Sequence, residues 1–412
     1  MRKIQAFLIM FIVMLMPYSA SAMLNMELTR GVAGAIPINV VPFPGADMSP
    51  QNVSNIVSND LQNSGRFKLS SGSVDNTVVG KVTSLGGDRY EVSFKLLDTL
   101  QGMSNAKTLL NKKYTVSSRE LRAVSHHISD LVYQYITGTR GIFSTKIAYV
   151  VVQRSGDRAR YILEVSDQDG YNPRPLLNSP EPIMSPSWSP NGKQIAYVSF
   201  ENKLSRIYVQ NVVTGSRTLV SSYPGINGAP AWSPDGRKLA IVLSKGGSPN
   251  IYILDLSSRS LKQVTNDFYI NTEPSFAPNM RSILFTSNRS GGPQIYQANL
   301  GNGSISRLSF DGDYNARASY TPDGNHVAMI HKASGVYSIA VLDLDSGTVR
   351  VLSGKAMDGV SPSIAPNGSM VLYDTKVGGR NVLGMVSADG RVQLMLPARN
   401  GEAQDPAWSP FM

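Results

Sequence analysis

Pro230-Ala231-Trp232-Ser233-Pro234-Asp235-Gly236 recurs, with small variations, at a constant step of 44 residues. Upstream stands Pro186-Ser187-Trp188-Ser189-Pro190-Asn191-Gly192. Downstream come Pro274-Ser275-Phe276-Ala277-Pro278-Asn279, Ser319-Tyr320-Thr321-Pro322-Asp323-Gly324 and Pro362-Ser363-Ile364-Ala365-Pro366-Asn367-Gly368, and last Pro406-Ala407-Trp408-Ser409-Pro410. The large apolar or aromatic position falls at 188, 232, 276, 320, 364 and 408. Two copies depart from the pattern, with Ala318 in place of the leading Pro and Met280 in place of the turn Gly. Pro sets φ near −65° and the Gly position accepts positive φ, so each copy turns one strand into the next. The preceding aromatic is expected to pack between neighbouring units.

An apolar strand follows each turn, as in Gln194 to Phe200 and Lys238 to Leu243. A second comes next, such as Asn250 to Leu256, and a third, such as Leu261 to Thr265, closes the unit. Four strands in a period of about 40–45 residues are the signature of a propeller blade. Lys146 to Val152 and Tyr161 to Ser166 match the second and third strands, yet no first strand precedes them. Pro406 to Pro410 is a first strand with nothing after it. The two fragments complete one another. Residues 140–412 are therefore expected to form a six-bladed β-propeller closed by the C-terminal strand, rather than an open solenoid with polar caps.

The sequence before the repeat has a different character. Residues 1–22 combine Arg2 and Lys3, an apolar core from Phe7 to Met16 and the small-x-small end Ala20-Ser21-Ala22. That is a secretory signal peptide with cleavage expected after Ala22; the apolar run is too short for a spanning helix. Residues 23–139 mix helices and strands, as a small α/β domain. Ser49-Pro50 is expected to open a helix carrying Val53, Ile56, Val57 and Leu61, stopped by Gly65. A second helix starts at Ser117, where Glu120 completes a capping box, and ends at Gly138. Strand-like runs lie at Ile36 to Phe43, Thr77 to Leu85, Tyr90 to Asp98 and Leu109 to Val116, and Gly86-Gly87-Asp88 joins two of them as a hairpin.

Composition narrows the function. The absence of Cys excludes disulfides, thiolate catalysis and cysteine metal sites. Such an exported chain suits a bacterial periplasm. Removing Arg2 and Lys3 with the signal takes the formal charge from +10 to +8. The surplus forms no dense run, so nucleic acid is not an expected partner. No G-x-S-x-G, H-E-x-x-H, Walker loop or strand-linked G-x-G-x-x-G occurs, and no catalytic residue, metal ligand or cofactor is assigned. His126 and His127 are helix neighbours that point about 100° apart, and are expected at the surface or in packing. Asp235 and Asp323 are expected to bond turn amides. Propellers without catalytic residues bind partners through loops around the central opening. The loops entering each first strand are the candidates here: Pro182 to Ser185, Tyr223 to Ala229, Tyr269 to Glu273, Tyr314 to Arg317, Asp358 to Ser361 and Gly401 to Asp405.

Val40-Val41-Pro42-Phe43, Asp60-Leu61-Gln62-Asn63-Ser64-Gly65, Lys146-Ile147-Ala148-Tyr149-Val150, Asp169-Gly170-Tyr171-Asn172, Asn227-Gly228-Ala229-Pro230 and Asn271-Thr272-Glu273-Pro274 follow one another in this order. With the ending Pro406-Ala407-Trp408-Ser409-Pro410, they make the whole mature chain resemble the TolB family of the Tol–Pal system. The resemblance implies a monomeric, non-enzymatic periplasmic protein that links outer-membrane Pal with inner-membrane TolA. It would support outer-membrane invagination during division and the integrity of the envelope. It places the Pal-binding face at Ile226, Asn227, Gly228, Ala229, Asn271, Thr272, Glu273 and Arg317. It places TolA binding in the segment 23–33, at Met23, Leu24, Asn25, Met26, Glu27, Leu28, Thr29 and Arg30. That segment alternates enough to add a strand to a partner's sheet edge, or to pack as an edge strand on its own domain. The alternative is a periplasmic hydrolase, lyase or solute-binding propeller with its site in the central channel. It requires convergent acids or a metal there, and no such cluster stands out in the sequence.

Overall fold

The computed structural model describes residues 25–27, 34–353, 361–396 and 401–412. The signal peptide 1–22 and residues Met23, Leu24, Leu28, Thr29 and Arg30 of the N-terminal segment lie outside the described residues. So do the rest of the segment, 31–33, and most of the loop before Ser361. Among the described residues no helix is long and apolar enough to cross a membrane.

Among the described residues six antiparallel sheets follow one another around the propeller, five of four strands and the sixth of five. The first blade combines Glu402–Trp408 with Lys146–Ser155, Arg158–Asp167 and Arg174–Ser179. Ala407 stands opposite Ala148 and Trp408 opposite Ile147, so the C-terminal strand closes the ring as the repeat requires. Blades two to six begin with the inner strands Ile183–Trp188, Asn227–Trp232, Asn271–Phe276, Tyr314–Tyr320 and Ser363–Ile364.

The recurring motif is scaffold. Trp232 Nε1 donates to the carbonyl of Ser187 in the preceding blade at 3.1 Å, and Trp188 Nε1 does the same to Ala407. Each indole thus buries its area between blades while its one polar atom stays satisfied. Ser233 Oγ accepts the amide of Lys238 at 2.9 Å, and Asp235 accepts the amide of Arg237 at 3.0 Å. Asp323 accepts the amide of Asn325 in the same way. The turn carboxylates are occupied in holding the turn.

Ahead of the propeller lies a five-stranded sheet. Ile36–Val40 runs parallel to both Phe67–Leu69 and Asn76–Gly86, and Arg89–Asp98 and Lys107–Ser117 extend the sheet antiparallel. Two helices, α1 (Val53–Asn63) and α2 (Leu121–Thr137), cover one face. Val57 and Leu61 of α1 meet Val124 and Ile128 of α2 over Val78, Val92 and Phe94. The cap of α1 differs from expectation: Asn52, not Ser49, accepts the free amide, that of Asn55. The Ser49 hydroxyl bonds the carbonyls of Ala46 and Gln51 instead, which spends it on the preceding turn. At α2 the Ser117–Glu120 capping box forms, but its first turn is a 3-10 turn, and Gly138 ends the helix at φ 75°.

Candidate functional site

Five of the six inner strands carry one irregularity at the same place. The ladder slips between Met184 and Ser187, Gly228 and Ala231, Thr272 and Ser275, Ala316 and Ser319, and Gln404 and Ala407. The bulged residues Ser185, Ala229, Glu273, Arg317 and Asp405 all have φ between 42° and 54°. A non-glycine residue pays strain in this region, and bulges serve to re-aim a side chain. Here they aim a ring of residues toward the axis. In four of these five bulges the next residue is Pro, which has no amide to give the interrupted ladder. Ser361 holds the equivalent place in the sixth blade.

The six positions line one cavity of about 930 Å³ along the channel. At its other end stand Pro190, Pro234, Pro278, Pro322, Pro366 and Pro410. The ring is polar, and Arg317 organises it. Its Nε donates to Glu273 at 2.9 Å and its Nη1 to Asp405 at 3.1 Å and to Ser361. Ser361 Oγ donates to Asp405 at 2.8 Å, and its amide donates to Asp374 at 2.6 Å. Thr286 Oγ1 and the Arg317 amide complete Glu273. Burial, together with the nearby Asp405, pushes the Asp374 carboxyl above the ordinary carboxylate range. Three acids therefore cluster at the channel, Glu273 and Asp405 lining it and Asp374 behind Ser361, which the sequence reading did not find. Glu273 and Asp405 bond Arg317 directly, while Asp374 holds the Ser361 amide.

The face residues separate into exposed and supporting ones. Ile226 is 48% exposed, and Thr272, Gly228 and Ala229 are partly open around the mouth. Asn227 and Asn271 are buried beneath it. Asn227 accepts from Ser221 Oγ and the Tyr223 amide, and Asn271 donates to Asp267 and Asn250. They hold the loops from beneath. Two aromatics that sequence reasoning missed stand near the candidate loops: Phe268 is 97% exposed and Phe310 73%. Tyr269 and Ile270 continue the apolar rim. Exposed aromatic and aliphatic groups around a polar centre suit a protein partner.

Asn25–Glu27 of the N-terminal segment forms a strand on the outer edge of the sixth blade, with Asn25 opposite Met395 and Glu27 opposite Gln393. The strand therefore sits on the propeller, not on its own α/β sheet as the edge-strand reading has it.

A second cluster joins the α/β part to the first blade. Arg122 of α2 donates to Asp167 at 3.0 Å and to Asp169, and stacks 3.9 Å from the Tyr171 ring centre. Lys146 and Asn172 also bond Asp167. Next to it His126 Nδ1 meets Asp60 of α1 at 2.8 Å, with both side chains buried. His127 packs edge-on against Tyr114. His126, Asp60 and Asp169 have ligand-type atoms within 4.8 Å of one another; Arg122 supplies a cation to Asp169.

Known proteins match this architecture. The TolB amino-terminal domain model matches residues 24–74, and the TolB beta propeller domain model residues 133–412. The Tol-Pal system protein TolB of Legionella pneumophila (strain Corby) is 50% identical over 222 residues, 50% of this chain and 52% of that protein. That of Coxiella burnetii (strain RSA 493 / Nine Mile phase I) is 48% identical over 249 residues, 54% and 56% of the two chains. These matches span about half the length of the curated relatives. The crystal structure of TolB from Acinetobacter baumannii superposes with a TM-score of 0.86 at 39% identity, covering 94% of this chain and 100% of that one. A putative TolB from Agrobacterium tumefaciens, 20% identical with a TM-score of 0.52, covering 65% of this chain and 94% of that one, shares the fold.

Proposed function

Because the chain belongs to the TolB family of the Tol–Pal system, we propose that it is a non-enzymatic periplasmic relay between Pal and TolA. In that role it helps the outer membrane follow the inner one during division. The observation that carries this reading is the mouth of the propeller. Exposed apolar groups surround a cavity in which Arg317 bonds two of the three acids. A hydrolase or lyase would need such acids free to act on a substrate.

Pal is expected to dock over Ile226, Ala229 and Thr272, with Phe268 at the rim. Thr272→Arg or Ala229→Arg places a long cation in the mouth, and should reduce retention of Pal by the purified mature protein at least tenfold. Phe268→Ala should weaken it by about 1–2 kcal/mol, as for a peripheral aromatic anchor. Isothermal titration with Pal measures both, and unchanged affinity in all three variants would place the interface elsewhere.

On the inner-membrane side, the strand pairing of Asn25–Glu27 with Gln393–Leu396 supports a segment that exchanges between its own blade and a TolA sheet edge. Deleting Met23 to Arg30 should abolish TolA capture while the propeller stays folded by circular dichroism. TolA binding that survives the truncation would rule the segment out.

A further inference from the structure

The face of the α/β sheet turned away from the helices carries a lysine on each of four strands. Phe67 and Leu69 point to the helix side, so Lys68 between them points away. The same alternation puts Lys81, Lys95 and Lys113 outward, since Val82, Phe94 and Tyr114 face the core. The register sets them close together. Lys81 and Lys113 both stand opposite Ser93, on its two sides. Two strand spacings separate them, about 10 Å. Lys95 stands opposite Val79 and Asn111, diagonal to both other lysines. All four are exposed. One acid, Glu91, shares the face and pairs with Lys113 at 2.7 Å. The surroundings are mostly short polar groups, Thr83, Ser93, Asn111 and Thr115, with Val79 opposite Lys95.

We propose that this face is a peripheral contact for an anionic phospholipid surface. Three features favour a lipid surface over a protein. Like charges placed diagonally across a sheet repel, and an anionic plane relieves that repulsion. Lysine is depleted in protein interfaces, whereas lysines near a membrane each add to attraction for acidic headgroups. The patch offers no aromatic anchor of the kind that dominates protein interfaces. The contact is therefore electrostatic and reversible. It would orient the chain at a membrane while the propeller mouth, a separate surface, remains available.

Co-sedimentation of the full mature chain with phosphatidylglycerol–phosphatidylcholine vesicles tests this. Binding is expected at low salt, with release at high salt and no binding to pure phosphatidylcholine. The Lys81→Gln, Lys95→Gln, Lys113→Gln triple variant should lose roughly 100-fold in partition coefficient, the size expected for three lysines near an acidic surface. The corresponding triple arginine variant should retain binding, and matching thermal unfolding of all three proteins controls for folding. Equal binding by the glutamine variant, or equal binding to neutral vesicles, overturns the proposal. So does capture of the wild type by immobilised polyglutamate with no vesicle binding, which would point to an acidic protein instead.

Discussion

Replacing Arg317 with Met should lower the stability of the propeller by about 2–3 kcal/mol at neutral pH, and by much less near pH 4. Removing one partner of a buried pair costs about 3–5 kcal/mol because the other charge is left stranded. The Arg317 side chain is 32% exposed, so water reduces that figure. What it leaves behind is Glu273, Asp374 and Asp405 around one axis, with only hydroxyls and amides for company.

The sign of the pH dependence follows from those acids. In the native protein Asp374 already has a raised pKa, owing to burial first and Asp405 second, while Arg317 pulls the other way. Without the guanidinium it should rise further. An acid whose folded pKa lies above its unfolded value favours the folded state below the unfolded pKa, about 3.9 for Asp. That contribution is lost as pH rises through the folded value. The gap between variant and wild type should therefore open from about pH 4 to pH 7 in urea titrations. A gap that is constant across this range would mean that Arg317 acts through packing alone. Arg317→Lys keeps the charge without the planar fork, and should recover part of the loss.

The ring shows what was legible in the sequence and what was not. The 44-residue step specified blade count and closure because each blade is one repeat with the same turn chemistry. The same step contained more. Moving from Arg317 by multiples of 44 reaches Ser185, Ala229, Glu273, Ser361 and Asp405, the residues that share the channel. The signal was the residue before each motif's leading position, a Pro in all but one copy. It was hidden because these side chains differ from blade to blade, so no motif marks them. Asn227 and Asn271 show the converse. Their recurring place was legible, but that a buried amide with four bonding sites there holds a loop shows only in the structure. Local chemistry was legible where the partner is near in sequence, as in the Ser117–Glu120 box. It was not legible for His126, whose partner Asp60 is 66 residues away and is met only when α1 packs on α2.

Arg122→Met should have the larger effect on how the two parts of the molecule hold together. The Arg122 side chain is 7% exposed and bonds both Asp167 and Asp169 across the junction. Its loss leaves two carboxylates at that junction, with Lys146 and Asn172 as the remaining partners of Asp167, and the Tyr171 amide and the nearby His126 for Asp169. The expected cost to docking is about 3–5 kcal/mol. The junction should fail before either core, since the apolar cluster of the α/β part is separate from those that lie between neighbouring blades. Calorimetry should then split one transition into two, and protease should cut between Thr139 and Ser144 in the variant at temperatures where the wild type resists. The His126–Asp60 pair adds a pH dependence to the same junction. Burial acts to lower the His126 pKa, but the Asp60 carboxylate outweighs it and holds the imidazolium above its usual range. Burial likewise raises Asp60 despite His126. Both shifts favour keeping a proton in the pair, so its contribution is complete below the unfolded values and declines as pH rises through the raised ones. Wild-type docking should accordingly weaken on the alkaline side, and His126→Gln should flatten that decline. A single transition in Arg122→Met with an unchanged midpoint would show that apolar packing alone joins the domains.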